Sequence, residues 1–438
     1  MSTLTSLAEL EPILNQLHIP SDLRDPENGS QEDAARLEHW KRDAHTTLLQ
    51  LQLKLRDSDT KTDDVERLAA VAYAVAAFYG EGLWSSETDR KLAKGILEHI
   101  APSVPLLERV LSFYVKPVFQ ANPHPMLNPS SARKLPRTLG GPLAQQDYYE
   151  GQVWKSHPGI VNVILWCVSH MEGSTYERLW HLLIPPMMIL LDDYQIQYKL
   201  QGLSIVSQLL KNVPSDLLKR TGIDALLLTS MKTCMTFLHN PSTADLIREV
   251  ALTWVSLARL TTPEGSGARF DQLCTLLGDC IIGSIWTYAS RDVDTVEATI
   301  DVLPVIIKAL GIATARYLKA IIPQLVFPLT ARLENSSSPQ LQITSLRALQ
   351  VTIQECAPRM HKWKSTVMSA VAQRWVILQD TGEDNEDVRL LQKELREVTQ
   401  CLLQACPSSA EEELRVLLDT DARMFESLTQ VDDNNALT

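Results

Sequence analysis

Glycine is scarce in this 438-residue chain, at 17 residues, and aromatic side chains make up only 6% of it. Alternating runs rich in Val, Ile and Thr are hard to find, so a sheet-based fold has little to build on. No uninterrupted apolar run reaches eighteen residues, which weighs against a membrane span. The first residues, MSTLTSLAELEPILNQL, carry acids where a secretory signal carries bases, so no such signal is expected. Dense basic clusters are missing as well. The formal net charge is −12, but residues 380–438 hold 15 acids against 5 bases and residues 1–60 hold 11 against 6. The middle is close to neutral. Binding to a polyanion needs a dense basic face, so protein partners are favoured over nucleic acid. Seven cysteines, an odd number at scattered spacing, suit a reducing compartment better than a disulfide framework.

What is present is helical periodicity. In the stretch from Tyr176 to Pro214, residues Tyr176, Leu179, Trp180, Leu183, Ile184, Met187, Met188 and Leu191 fall on one helical face. Asp192-Asp193 interrupts the stripe, and a second runs through Ile196, Leu200, Leu203, Ser207, Leu210 and Val213. Two antiparallel helices leave an apolar side open, so neighbouring pairs must cover it. Polar turns between paired helices recur at Asp193, Pro241, Arg291, Ser338 and Asn385, spaced 47 to 50 residues apart. That period with two helices per unit predicts an all-α protein, an α-solenoid of HEAT-like repeats in an armadillo-type superhelix. Lys199, Arg248 and Arg389 follow three of the turns, where a base can face the acids and open carbonyls of the turn. Thr295 and Gln342 stand near that place in the other two. Pro185 and Pro323 fall inside first helices, where a proline bends the helix.

The chain thus divides into an N-terminal helical region, 1–120, a long Pro/Gly-rich loop, 121–159, a repeat array, 160–406, and an acidic C-terminal helix and tail, 407–438. The loop has six prolines, and it also keeps Tyr148, Tyr149 and Trp154. Solvated loops rarely keep such aromatics, so Gln152 to Pro158 is expected to be ordered, packed on the body or on a partner; an unstructured spacer is the alternative. Trp154 is the tryptophan outside the helical stripes and the better hot-spot candidate.

Bond-making chemistry finds little support. Asp192 and Asp193 are adjacent on a turn and diverge, so they share no metal without a third ligand. Cys167 and His170 lie on one helix face, with His181 beyond, but a zinc site needs a fourth ligand. Gly265-Ser266-Gly267 lacks the strand that precedes a phosphate loop. No metal and no cofactor is implied. An enzyme whose site assembles from distant positions remains the third reading, after two kinds of HEAT adaptor.

The segments DYYEGQVWKSHPGIVNVILWCV (147–168), LLIPPMMILLDDYQIQYKLQGL (182–203) and TGIDALLLTSMKTCMTFL (221–238) resemble the family of the second Tel-two-interacting protein. The resemblance covers mainly residues 120–260. It implies a HEAT-repeat adaptor, not an enzyme, in the triple-T co-chaperone complex. Its direct partner would be the other Tti subunit and, through it, the Tel-two protein. The complex works with the ninety-kilodalton heat-shock chaperone in maturing phosphatidylinositol-3-kinase-related kinases, including mTOR and the DNA-damage kinases, in cytoplasm and nucleus. No nucleic acid or membrane is implied. Asp192, Asp193, Tyr194 and Lys199 match the most distinctive motif, with Tyr194 as a contact and Asp192 and Lys199 as ties between repeats. Tyr148, Tyr149, Trp154, Lys155 and His157 are the loop candidates, first for fixing a junction and second for partner contact. The alternative is another HEAT adaptor, a phosphatase scaffold or a transport receptor.

Overall fold

The structure, a computed structural model, describes residues 7–21, 31–57, 64–138, 151–330, 338–382 and 385–429. Every regular element among them is a helix, apart from one isolated antiparallel bridge, Leu127 to Lys134. Two compact units divide the chain, Met1–Ser230 and Met231–Thr438.

The first unit opens with α1 (Leu7–Gln16), α2 (Gln31–Asp57), α3 (Val65–Ala76) and α4 (Glu87–Leu97). Alanine-rich α3 has high helix propensity, and the Asp64 side chain caps it by accepting from the Arg67 N–H. Ser86 starts α4, in a reciprocal capping box with Asp89. Next comes α5, which begins at Val104–Arg109 after the Ser103 cap. It passes through a π-helical stretch, Val110–Val115, and ends at Lys116–Phe119. The unit continues with α6 (Ile160–Ser169), α7 (Ser174–Leu191), α8 (Ile196–Leu210) and α9 (Ser215–Thr221). Helices α3, α6 and α8 pack in succession, α5 packs on α6 and on α7, and α7 packs on α8. Residues 120–159 therefore join the two helices of one pair, the place a short turn takes in the pairs that follow. Pro185 and Pro186 are accommodated inside α7.

The unit boundary falls within α10 (Ile223–Cys234). The second unit then holds α11 (Thr243–Thr261) and α12, which begins at Gly267–Cys274 and continues through a π-helical stretch, Thr275–Ile285, to Trp286–Tyr288. After them come α13 (Val293–Leu310), α14 (Leu318–Thr330), α15 (Pro339–Glu355), α16 (Lys364–Thr381) and α17 (Glu386–Ala405). The last two are α18 (Pro407–Thr420) and α19 (Ala422–Thr429). Each expected turn falls between two consecutive helices: α7 and α8, α10 and α11, α12 and α13, α14 and α15, α16 and α17. Second helices α11, α13, α15 and α17 stack in order, and so do α14, α16 and α18. That two-row stacking is the helical-repeat architecture, and it buries both sides of each inner pair. Polar turn residues double as helix caps: Asp292 accepts from Thr295 N–H, Ser338 from Leu341 N–H and Asn385 from Val388 N–H. In the most apolar stretch, Val293–Thr330, helices α13 and α14 are separated by a 3-10 segment, Gly311–Tyr317. By length and composition that stretch would suit a bilayer, but Ile300, Leu303, Ile306, Ile321 and Ile322 are buried in the stack.

The acidic end forms two helices, broken at Asp421. Both pack on α17, and Trp375 Nε1 donates to the Met424 carbonyl at 2.9 Å. The bases after the turns do not share one role. Lys199 meets its own turn, whereas Arg248 reaches Asp301 on α13 at 3.1 Å. Thr295 instead completes a cap, its hydroxyl donating to Asp292 at 2.7 Å.

Candidate interaction site at the Asp192–Lys199 turn

A helix end leaves carbonyls without intrahelical donors. At the end of α7, Lys199 answers one of them: its Nζ, reaching back from the first turn of α8, donates to the Leu191 carbonyl at 3.2 Å. Lys199 is 1% exposed, so its charge is spent inside the protein. Three residues on, Gly202 lets α8 approach the same helix end. A Cβ there would stand 2.6 Å from Leu191 N and 2.8 Å from Leu191 Cα. The Lys199 and Gly202 pair thus accounts for the Tyr-Lys-x-x-Gly pattern as a joint between α7 and α8. Between them the turn closes on itself, Asp193 Oδ1 accepting from Gln195 N–H at 2.9 Å.

The long loop grips this turn from both of its limbs. On the first limb, His124 Nδ1 accepts the Met126 N–H at 3.2 Å, so Nε2 carries the proton and donates to Asp192 Oδ2 at 2.8 Å. Prolines 123 and 125 flank the imidazole and restrict its backbone. The chain then folds over the Leu127–Lys134 bridge, and Lys134 N–H donates to the Thr221 carbonyl at the end of α9, at 2.9 Å. On the second limb, a 3-10 turn, Val153–Ser156, carries Trp154 and Lys155. Trp154 lies flat on Phe119 (5.7 Å between centroids, 9°) and takes an edge-to-face contact with Tyr198 (4.6 Å, 83°). Lys155 Nζ sits 2.7 Å from Asp193 Oδ2, a charge contact off the line of a hydrogen bond. Gly159, at φ +84°, ends the limb where a Cβ would strike Ala77 Cβ at 2.8 Å.

Most of the candidates are therefore internal, placed to tie helices together and to fix the loop rather than to present a contact surface. Trp154 is 3% exposed and fills the seam between α5 and α8, so it is not a free hot spot. Asp193 is fully buried, and Asp192, Lys155 and His157 are partly buried. His157 is occupied with the Val153 carbonyl, 3.1 Å from Nδ1. Tyr194 alone among the described candidates presents a large open face, 57% exposed. Tyr148 and Tyr149 lie outside the described residues. Three partners went unnoticed in the sequence: His124, Phe119 and Tyr198. The signal for His124 was its position between two prolines, and Tyr198 stood inside the motif itself.

The family model of the Tti2 family matches residues 71–332, well over half of the chain and the whole of this site. The chain belongs to the Tti2 family. TELO2-interacting protein 2 of Rattus norvegicus is 24% identical over 268 residues, 58% of this chain and 48% of that protein. TELO2-interacting protein 2 of Homo sapiens is 26% identical over 184 residues, 40% of this chain and 34% of that protein. This Tti2-family chain thus spans at most about half the length of the curated relatives it matches. Among solved structures, the crystal structure of an engineered protein covers 97% of the chain and 95% of its own at 12% identity and a TM-score of 0.37, a likeness that bears on nothing further.

In this Tti2-family chain several of the tyrosine and cysteine side chains outside the site are held protonated by burial. Burial pushes the Tyr176 phenol up to about 12, with Glu172 adding to it, and raises the Cys167 thiol. His170 is taken up by the Trp166 carbonyl at 2.8 Å from Nδ1. Among the described residues no three His, Cys, Asp or Glu side chains converge as a metal site. What the site offers is a stiff turn with one exposed aromatic ring, a geometry suited to recognition.

Proposed function

We propose that the chain is a non-catalytic adaptor subunit of the triple-T co-chaperone complex. It binds the other Tti subunit directly and the Tel-two protein through it. With the ninety-kilodalton heat-shock chaperone, the assembly supports maturation of phosphatidylinositol-3-kinase-related kinases, mTOR and the DNA-damage kinases among them, in cytoplasm and nucleus. Family membership supports this reading, as do the relatives' names, which state an interaction with TELO2. The observation that carries the docking role is the Asp192–Lys199 turn. Its acids and its lysine are engaged internally, and Tyr194 stands exposed on a support that does not have to be ordered at the moment of binding.

The test is a tagged pulldown of the chain with mass spectrometry, followed by titration with the purified other Tti subunit. Wild type is expected to recover that subunit. Tyr194→Ala is expected to weaken binding by roughly 10-fold or more, a larger loss than its small shift of the melting curve accounts for, the behaviour of a truncated aromatic hot spot. Recovery of a phosphatase or of transport cargo without the other Tti subunit sinks the assignment.

A further inference from the structure

The surroundings of Lys155 go beyond a single ion pair. Its Nζ lies 4.4 Å from the ring centroid of Tyr194, 4.9 Å from that of Tyr198 and 5.3 Å from that of Trp154. Asp193 Oδ2 completes the set at 2.7 Å. Aromatic faces attract a cation through their quadrupole, and several rings around one ammonium make a recognition cage for alkylammonium groups. We propose that Trp154, Tyr194, Tyr198 and Asp193 form an alkylammonium-binding cage that the chain fills with its own Lys155.

Two of the walls stand without Lys155. Trp154 is fixed by Phe119, and Tyr198 is a buried residue of α8. The floor cannot be left empty: Asp193 is fully buried, and a buried carboxylate without a counter-charge is strongly unfavourable. The remaining wall, Tyr194, is the exposed ring on the turn, so the cation in the cage also sets how that ring is presented. Alongside runs a cavity of about 230 Å³ lined by Trp154, Lys155, Tyr198, Gln201, His157 and Glu81, which borders the cage on its Trp154 and Tyr198 walls. The cage is a property of the free chain and stands or falls apart from membership in the triple-T complex.

Removing Lys155 beyond Cβ deletes one n-propylammonium group, and that small molecule is the probe. The melting temperature and tryptophan fluorescence of full-length Lys155→Ala are measured with n-propylammonium chloride, with sodium chloride at equal ionic strength, and with n-propanol. The expected result is a lowered melting temperature that n-propylammonium raises saturably, while sodium chloride and n-propanol do not. Adding Asp193→Asn to the variant is expected to abolish that rescue. Equal shifts in Lys155→Ala and wild type, or no loss of stability on truncation, overturn the proposal. If Lys155→Ala does not fold, Lys155→Arg against Lys155→Met decides. Arg melting near wild type with Met well below supports a cation requirement, and equal melting of the two refutes it.

Discussion

His124 and Asp192, 68 residues apart in the chain, meet through Nε2 and Oδ2 at 2.8 Å, and the imidazole is buried. Both ring nitrogens are engaged, since Nδ1 accepts from Met126 N–H. Replacing His124 by Ala strands an aspartate oxygen and a backbone donor together. Leaving buried partners unsatisfied costs about 1–3 kcal/mol, and water reaching the partly exposed Asp192 places the loss at the lower end, about 1 kcal/mol. His124→Ala is expected to destabilise the first unit by an amount in that range, read by urea denaturation. A double-mutant cycle with Asp192→Asn should show coupling, and strict additivity would mean the pair contributes nothing.

Gly202→Ala adds a methyl group where Leu191 backbone atoms stand at 2.6 and 2.8 Å. Backbone cannot swing aside as a side chain does, so α7 and α8 must part. The expected loss is about 1–3 kcal/mol, against the gain that Ala normally brings to an exposed helix position. Circular dichroism melts of the two proteins decide the sign.

Leu203 is fully buried beside that joint. Truncation to Ala leaves a cavity in addition to the lost transfer energy, about 2–5 kcal/mol. In a repeat protein the loss is expected to be local, so hydrogen exchange should rise first in α7 and α8 rather than throughout the chain. A wild-type exchange pattern and melting curve would contradict the packing of α8.

High pH should destabilise the fold. Burial pushes the thiols of Cys280 and Cys356 to about 11 and the Tyr176 phenol to about 12. These groups hold their protons longer in the folded state than in the unfolded chain, where they titrate near 9 and 10. The unfolded state therefore binds fewer protons at alkaline pH, and stability falls as pH rises. Their contribution is intact below pH about 8 and is lost progressively between pH about 9 and 12. Tyr176→Phe should flatten the upper part of that decline, as measured by denaturant midpoints across the range.

The helix pairs were legible because burial writes itself into spacing: a stripe such as Tyr176, Leu179, Trp180, Leu183, Ile184 and Met187, in steps of three and four, fits one face of a helix and not of a strand. Turn residues were legible for a related reason, since Asp292, Ser338 and Asn385 are good N-caps whatever surrounds them. The site was legible only in part. Asp192 to Lys199 stood out as a motif, yet its partners His124 and Lys155 lie in a loop without periodicity, and no local rule says where such a loop lands. Trp154 was expected to pack, but lying outside every stripe it gave no sign whether the body or a partner would receive it. Its burial depends on Phe119 and Tyr198, from two helices, converging on it. The π-helical stretches, at Val110–Val115 and Thr275–Ile285, left no mark in the apolar pattern at all.

The double grip on the Asp192–Asp193 turn works as a clasp with two separate fastenings. His124 and Lys155 come from opposite limbs of the long loop and hold neighbouring carboxylates. Undoing either one leaves the other closed, so a single local opening does not release the support beneath Tyr194.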